Sequence, residues 1–108
     1  MSYRAVLLDI DGVLTVSWRA LPGAIDAVAA LRAAGYRLRF VTNTTSRTRD
    51  VLSETLGAAG FDVPAAEIVT ATAATADYLR HAHAGKRCYL LTSGDVDTEF
   101  HGVELASQ

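Results

Sequence analysis

The sequence is poor in cysteine, proline and aromatic residues, and it lacks a long apolar run. Among 108 residues there are one cysteine, two prolines and one tryptophan. Because Cys88 has no second cysteine with which to form a disulfide, we expect a reducing compartment and a cytoplasmic protein. No apolar stretch approaches the roughly 18–20 residues that cross a bilayer, and the run before Asp9 is too short for a signal peptide. These absences argue against membrane and secreted proteins.

The sequence also lacks an excess of charge of either sign. Twelve acidic and ten basic side chains give a formal net charge of −2. A nucleic-acid-binding domain of this size usually carries a basic patch, so we expect no nucleic-acid partner. Residues 1–108 contain no linker, repeat or low-complexity tract, and this length suits one small domain.

What the sequence contains is an alternation of apolar runs and helical patterns. The first run, residues 5–10, is almost unbroken, which is typical of a strand buried on both faces of a parallel sheet. Residues 67–70 are predicted only as a short extended piece, and Ser46 is the expected N-cap of the second helix. The order β-α-β-α-β predicts a three-layer α/β fold with a partial parallel sheet and right-handed crossovers. The predicted elements are strands at 5–10, 36–42 and 87–92, and helices that begin near 22, 47 and 72.

Polar residues follow each of these predicted strands. Asp9 and Asp11 end the first strand, Thr42 and Asn43 end the second, and residues 92–95 end the third. Ligands of open α/β sheets bind beyond the carboxyl ends of the strands. The sequence therefore predicts a polar site at this edge of the sheet.

The pair Asp9 and Asp11 indicates the chemistry of that site. Two carboxylates and the backbone carbonyl between them are oxygen ligands that suit Mg²⁺. One carboxylate could act as nucleophile and the other as general acid and base, while Thr42 and nearby backbone N–H groups hold a phosphoryl group. An Asp-x-Asp pattern alone is more often a solvated pair. Its position after a buried strand, with Gly12 following, favours a site.

Two segments resemble motifs of a known family. Residues 7–14 (LLDIDGVL) resemble the first motif of the haloacid dehalogenase-like (HAD) phosphatase superfamily, and residues 40–45 (FVTNTT) resemble its second motif. The second motif has the form found in class IIA, which carries a large inserted cap. Residues 60–63 and 67–70 extend the similarity to the phospholysine phosphohistidine inorganic pyrophosphate phosphatase group. The resemblance implies a Rossmann-like core and a Mg²⁺-dependent phosphatase of small phosphorylated substrates.

The resemblance also implies individual roles at the site. Asp9 would be the nucleophile that forms an aspartyl-phosphate, and it would bind Mg²⁺. Asp11 would protonate the leaving group and then activate water, with its backbone carbonyl on the metal. Thr42 and the N–H of Asn43 would hold the phosphoryl group, and Gly12 would allow the sharp turn of the loop.

Three further residues lie where the family places parts of its site. Trp18 and Arg19 fall in the loop that forms a flap over the site, and Arg47 opens the second helix near the phosphate position. For each of these, contact with substrate and simple packing both remain open.

The family pattern also has parts that this sequence does not show. A third motif with Lys or Arg and a fourth, acidic motif normally follow the cap. Lys86 precedes the third predicted strand, and Asp95 and Asp97 come too early in the chain for the acidic motif. We therefore expect an N-terminal core segment without the cap and the C-terminal half. Its first strand would then be an open apolar edge through which two copies could pair as a homo-oligomer.

Two alternatives remain at this point. The chain could be a catalytically incomplete core module that acts by binding or oligomerisation. It could also be a phosphoacceptor receiver domain, which has an acidic pair after its first strand. A receiver needs an Asp at the end of its third strand and a later Lys; Asp95 could supply the first, but no suitable Lys follows.

Overall fold

The computed structural model describes residues 4–106, which form three helices, seven strands and two short 3-10 turns. None of the helices in this range has the length and apolar character needed to span a bilayer. That residues 1–108 make up one domain without a linker stays a prediction. The elements are β1 (Ala5–Asp9), β2 (Thr15–Val16), β3 (Arg19–Ala20), α1 (Ala24–Ala33), β4 (Arg37–Thr42), α2 (Arg49–Ala58), β5 (Ile68–Thr70), α3 (Ala71–Ala82), β6 (Arg87–Cys88) and β7 (Glu104–Leu105), with 3-10 turns at Ala65–Glu67 and Asp97–Phe100.

The main sheet has three parallel strands in the order β1-β4-β5. Asp9 is in register with Val41, and Thr42 is in register with Thr70. Because α1 connects β1 to β4 and α2 connects β4 to β5, the chain follows the predicted β-α-β-α-β order. The predicted α/β fold with a partial parallel sheet is confirmed. Among the described residues, β1 lies at an edge of the sheet, as the sequence also predicted.

The third strand of this sheet is not the predicted one. Residues 68–70, expected only as a short extended piece, form β5 and pair with β4. The predicted strand over 87–92 is wrong for the main sheet, because only Arg87–Cys88 is a strand and it pairs with β7 in a separate two-stranded sheet. Burial explains the difference: Ile68 is 2% exposed, whereas Leu91 is 82% exposed. Residues 92–95 therefore do not end a strand of the main sheet.

The apolar core lies on one face of the sheet. Val28 of α1 and Leu52 of α2 belong to the same cluster as Leu38 and Phe40 of β4. On the opposite face, Leu7 of β1 is 71% exposed, so the expectation that the first strand is buried on both faces is wrong for the described residues. The described residues thus supply the sheet and one of its helical layers. The buried cluster comprises Ile10, Leu14, Val28, Leu38, Phe40, Leu52, Leu56, Phe61, Val63 and Ile68.

The start of α2 is set by Thr48 and not by Ser46. The Thr48 Oγ1 accepts a hydrogen bond from the N–H of Val51 at 3.2 Å, which satisfies one of the free donors of the first turn. The helix therefore begins at Arg49, two residues after the predicted position. The residues between β4 and α2 form a loop, residues 43–48, that extends from the carboxyl end of the sheet.

A bidentate ion pair holds the approach to β5. The Arg32 guanidinium of α1 donates to both carboxylate oxygens of Glu67, at 2.6 Å and 3.0 Å. This hydrogen bonding lowers the pKa of Glu67 and raises that of Arg32, against the opposing effect of burial on each group. The pair fixes the 3-10 turn from which β5 enters the sheet.

Candidate active site

The predicted site residues lie at the carboxyl ends of β1 and β4. Asp9 is the last residue of β1 and Thr42 is the last residue of β4, and the two strands are parallel neighbours. The N–H of Ile10 extends the pairing by donating to the carbonyl of Val41 at 3.3 Å. Asp11 follows at once, so the sheet brings both carboxylates to the same edge as Thr42.

A tight turn after β1 presents Asp11. The carbonyl of Ile10, a residue that is 1% exposed, accepts from the N–H groups of Leu14 at 2.9 Å and Thr15 at 3.2 Å. The N–H of Gly12 donates to the carbonyl of Thr15 at 2.8 Å, and Gly12 has φ of +81°, which glycine adopts without strain. The chain is thereby anchored by Ile10 beneath the turn, while the Asp11 side chain stays exposed.

The Thr42 hydroxyl faces Asp11 across the sheet edge. Its Oγ1 donates to Oδ2 of Asp11 at 3.4 Å, and it shares a hydrogen bond of 2.9 Å with the hydroxyl of Thr44. The N–H of Thr44 also donates to Thr42 Oγ1 at 3.3 Å. Thr42 is buried, whereas Asn43 is exposed. The part of Thr44 in orienting Thr42 was not predicted, because a hydroxyl two residues away carries no distinct signal in the sequence.

The donor set at this edge consists of oxygen atoms. Asp9 and Asp11 are both exposed carboxylates, and Mg²⁺ in proteins is commonly bound by one or two carboxylates together with waters and substrate phosphate oxygens. Within residues 4–106, no group of three or more His, Cys, Asp or Glu side chains is placed to hold a metal ion. This holds for Asp95 and Asp97 as well as for Asp9 and Asp11, and the assignment of metal ligands stays a prediction.

A two-stranded hairpin, β2–β3, follows the turn after β1. Its two connecting residues, Ser17 and Trp18, have positive φ angles of 50° and 63°. The Trp18 ring contacts the guanidinium of Arg47, which lies 4.6 Å from the ring centroid. Trp18 and Arg47 were predicted to lie near the site separately; their contact was not predicted, since they are distant in the sequence.

The loop at residues 43–48 is also contacted from the C-terminal part of the chain. Gly94 lies so close to Ser46 that an added Cβ would be 2.2 Å from the Ser46 carbonyl oxygen. The carboxylate of Glu99, which is 7% exposed, accepts a hydrogen bond of 3.0 Å from Arg49 Nε at the start of α2. Residues 94–99 thus support the loop even though they lie outside the main sheet.

Comparison with known proteins finds matches that cover most of this chain. Residues 6–106 match the family model of haloacid dehalogenase-like hydrolases. Human glycerol-3-phosphate phosphatase is 41% identical over 94% of this chain and 34% of its own length. The phospholysine phosphohistidine inorganic pyrophosphate phosphatase of Danio rerio is 36% identical over 98% of this chain and 40% of its own length.

Solved structures share the fold. NagD from Escherichia coli K-12 has a TM-score of 0.87 and 34% identity, covering 98% of this chain and 43% of NagD. A glycerol phosphate phosphatase from Mycobacterium tuberculosis, solved in complex with magnesium, has a TM-score of 0.78 and 27% identity, covering 93% of this chain and 31% of its own. The chain therefore spans well under half the length of these relatives.

Proposed function

The chain belongs to the haloacid dehalogenase-like hydrolase family, and from this premise we propose that Asp9, Asp11 and Thr42 are the phosphoryl-transfer residues of a phosphate-ester hydrolase. The observation that supports the proposal is the placement of the Thr42 hydroxyl 3.4 Å from Asp11 at the strand end that also carries Asp9. A nucleophile, an acid–base group and a phosphoryl-binding hydroxyl are the groups that such a reaction needs.

In the proposed reaction Asp9 acts first. A carboxylate oxygen of Asp9 attacks the phosphorus, the bond to the ester oxygen breaks, and protonated Asp11 gives its proton to that leaving oxygen. Asp11 then removes a proton from a water molecule as the water attacks the aspartyl-phosphate. Inorganic phosphate leaves, Asp9 is regenerated and Asp11 is again protonated, so the cycle balances.

We propose that the Thr42 hydroxyl and the Asn43 N–H hold the transferring phosphoryl group. Thr42 is the last residue of β4 and Asn43 follows it directly, and the hydrogen bonds from Thr44 fix the position of the Thr42 oxygen. Gly12 allows the turn that places Asp11 beside that oxygen. A preorganised donor set of this kind stabilises developing charge on phosphoryl oxygens.

Mg²⁺ is the proposed cofactor, and its ligands would be the carboxylate of Asp9 and the backbone carbonyl of Asp11. Bound there, Mg²⁺ would offset negative charge on the phosphate and on the carboxylates. Support comes from the oxygen-only donor set and from the related glycerol phosphate phosphatase that was solved with magnesium.

The proposed substrate is a small phosphorylated molecule, in keeping with the names of the phosphatases that this chain resembles. We propose that residues 4–106 supply the nucleophile, the acid–base group and the phosphoryl-binding groups, because Asp9, Asp11 and Thr42 lie together at the carboxyl ends of β1 and β4. Pairing of two copies along the open edge of β1 is part of the proposal, as is a cytoplasmic location, which the unpaired Cys88 supports.

The test compares the 108-residue chain with Asp9→Asn and, as a matched control, Asp95→Asn. We expect Mg²⁺-dependent hydrolysis of an aryl phosphate to fall by about 100-fold or more in Asp9→Asn, because a carboxamide is a very poor nucleophile. The control should retain the wild-type rate, because Asp95 is exposed and lies outside the site. Light scattering on each sample reports whether it is a dimer.

A second measurement tests the role of Asp9 without requiring turnover of a substrate. Beryllofluoride with Mg²⁺ mimics a phosphoryl group on a carboxylate, and ¹⁹F NMR should show it bound to wild type and absent from Asp9→Asn. Equal hydrolysis and equal beryllofluoride binding in wild type and Asp9→Asn would refute the role of Asp9. Binding in neither protein would refute the site itself.

A further inference from the structure

The contact between Trp18 and Arg47 joins two segments that both begin at the candidate site. Trp18 lies in the β2–β3 hairpin, which follows the turn of Asp11, and Arg47 lies in the loop that follows Thr42. The guanidinium is 4.6 Å from the indole centroid, within the range of a cation–π contact. In the part of the chain that the structure describes, no carboxylate is within ion-pair distance of Arg47. The indole is therefore the main partner of this cation.

The backbone of the hairpin also indicates an external restraint. Ser17 and Trp18 both have positive φ, a combination that two-residue hairpin turns usually achieve with Asn and Gly. For bulky residues such as Trp, this conformation persists only where surrounding contacts hold it. Trp18 has two such contacts, because it packs on the main core cluster as well as against Arg47.

The direct connection across the site is weak by comparison. The hydrogen bond between Thr42 and Asp11 is long, at 3.4 Å. The hairpin, however, is tied to the Asp11 turn by the hydrogen bond from Gly12 N–H to the Thr15 carbonyl at 2.8 Å. Any contact that fixes the hairpin against residues 43–48 therefore also fixes Asp11 relative to Thr42.

We propose that Trp18 and Arg47 are positioning residues, whose stacking holds the β2–β3 hairpin against the loop at residues 43–48 and so sets the separation between Asp11 and Thr42. The functional consequence rests on the phosphoryl site proposed above. The contact itself does not depend on that proposal, and the experiment separates the two.

The experiment uses the 108-residue chain and four variants: Trp18→Leu, Arg47→Met, the double variant, and Arg47→Lys. Arg19→Met is the control, because it removes a cation from the same hairpin at an exposed position. The first readout needs no ligand. It is the hydrogen-exchange rate of the Leu21 amide, which donates to the Leu14 carbonyl at 2.8 Å across the base of the hairpin.

We expect Trp18→Leu and Arg47→Met each to raise this exchange rate about two- to fivefold, the effect of losing one partly exposed cation–π contact. The double variant should exchange no faster than Trp18→Leu alone, because the second substitution removes a contact already lost. Arg47→Lys should restore part of the protection, and Arg19→Met should match wild type. Additive effects in the double variant, or unchanged exchange in Arg47→Met, would overturn the proposal.

The second readout is the affinity for inorganic phosphate in the presence of Mg²⁺, followed by amide chemical shifts of Gly12 and Thr44. Positioning predicts that Trp18→Leu, which keeps the Arg47 charge, weakens phosphate binding about as much as Arg47→Met does. If only Arg47→Met weakens it, Arg47 acts through its charge on the anion and the positioning role is refuted. If wild type binds no phosphate, the proposed function fails, and the exchange data alone decide whether the contact holds the hairpin.

Discussion

Residues 5–70 and residues 87–106 both form parallel strand pairs, but the two pairs have very different support. β1 and β4 are in register over five residue pairs, and among the described residues ten buried apolar residues form the cluster on one face of the sheet that they share with β5. β6 and β7 are in register over two residue pairs, and within residues 4–106 the buried cluster near them consists of Ala76, Val96 and Phe100. A strand of this protein is therefore stabilised more by the apolar side chains that pack on its face than by the length of its own apolar run.

The largest expected effect comes from truncating one phenylalanine in each cluster. Phe40→Ala should lower the free energy of unfolding by about 3–5 kcal/mol, because Phe40 is fully buried in the larger cluster. Phe100→Ala should cost less, about 1–3 kcal/mol, since a cluster of three buried residues can collapse into the space more readily. Urea unfolding followed by circular dichroism measures both. Equal losses would contradict the comparison.

A smaller effect is expected where the two regions touch. Gly94→Ala places a Cβ 2.2 Å from the Ser46 carbonyl oxygen, so residues 94–99 must move away from the loop at residues 43–48. The matched control is Gly85→Ala, which has a similar φ of +78° and no atom within 4 Å of the new Cβ. Gly94→Ala should cost about 1–3 kcal/mol more than the control in the free energy of unfolding. A cost equal to that of Gly85→Ala would show that the close approach is unimportant.

The smallest effect concerns the ion pair between Arg32 and Glu67, which lies in residues 5–70, and this effect depends on pH. Arg32 lowers the pKa of Glu67 below its ordinary value, so the pair stabilises the fold when Glu67 is ionised in both states. This stabilisation is present above about pH 5 and is lost as pH falls through the lowered pKa. Because both side chains are partly exposed, Glu67→Gln should cost only about 1 kcal/mol at pH 7.

The measurement is the free energy of unfolding of wild type and of Glu67→Gln at several pH values between 3 and 7. The difference in unfolding free energy should shrink as the solution is acidified, and exposed Glu54→Gln should show little difference at any pH. A difference that stays constant over this range would mean that the charge of Glu67 is not the stabilising feature.

The candidate site was predictable because its signals are local. Asp9 and Asp11 directly follow a short apolar run, and Thr42 directly follows the next one, so the parallel arrangement of two strands was enough to bring them to one edge. The same pattern placed α1 and α2 between the strands with only small errors at their ends. In this part of the sequence the candidate site residues stand directly at the ends of the predicted strands.

The third strand and the contacts around the loop were not predictable in this way. β5 has three residues and is stabilised by pairing with β4 and by the burial of Ile68, neither of which leaves a clear periodic signal. The turn of Ser17 and Trp18 lacks the Asn or Gly that normally marks a two-residue hairpin. The contacts of Trp18 with Arg47 and of Gly94 with Ser46 depend on the folded chain bringing distant segments together.

The register of β1 on β4 has a further consequence for precision at the site. Among the described residues β4 is the only strand beside β1, so a single ladder of hydrogen bonds aligns Asp9 with Val41. A slip of one residue along that ladder would displace Asp9 by about 3.3 Å and turn its side chain to the other face of the sheet. The burial of Val6 and Leu8 towards one face and the exposure of Ala5 and Leu7 on the other oppose such a slip. The alternation of half-buried and exposed apolar side chains along β1 thus fixes the position of the Asp9 carboxylate at the end of the strand.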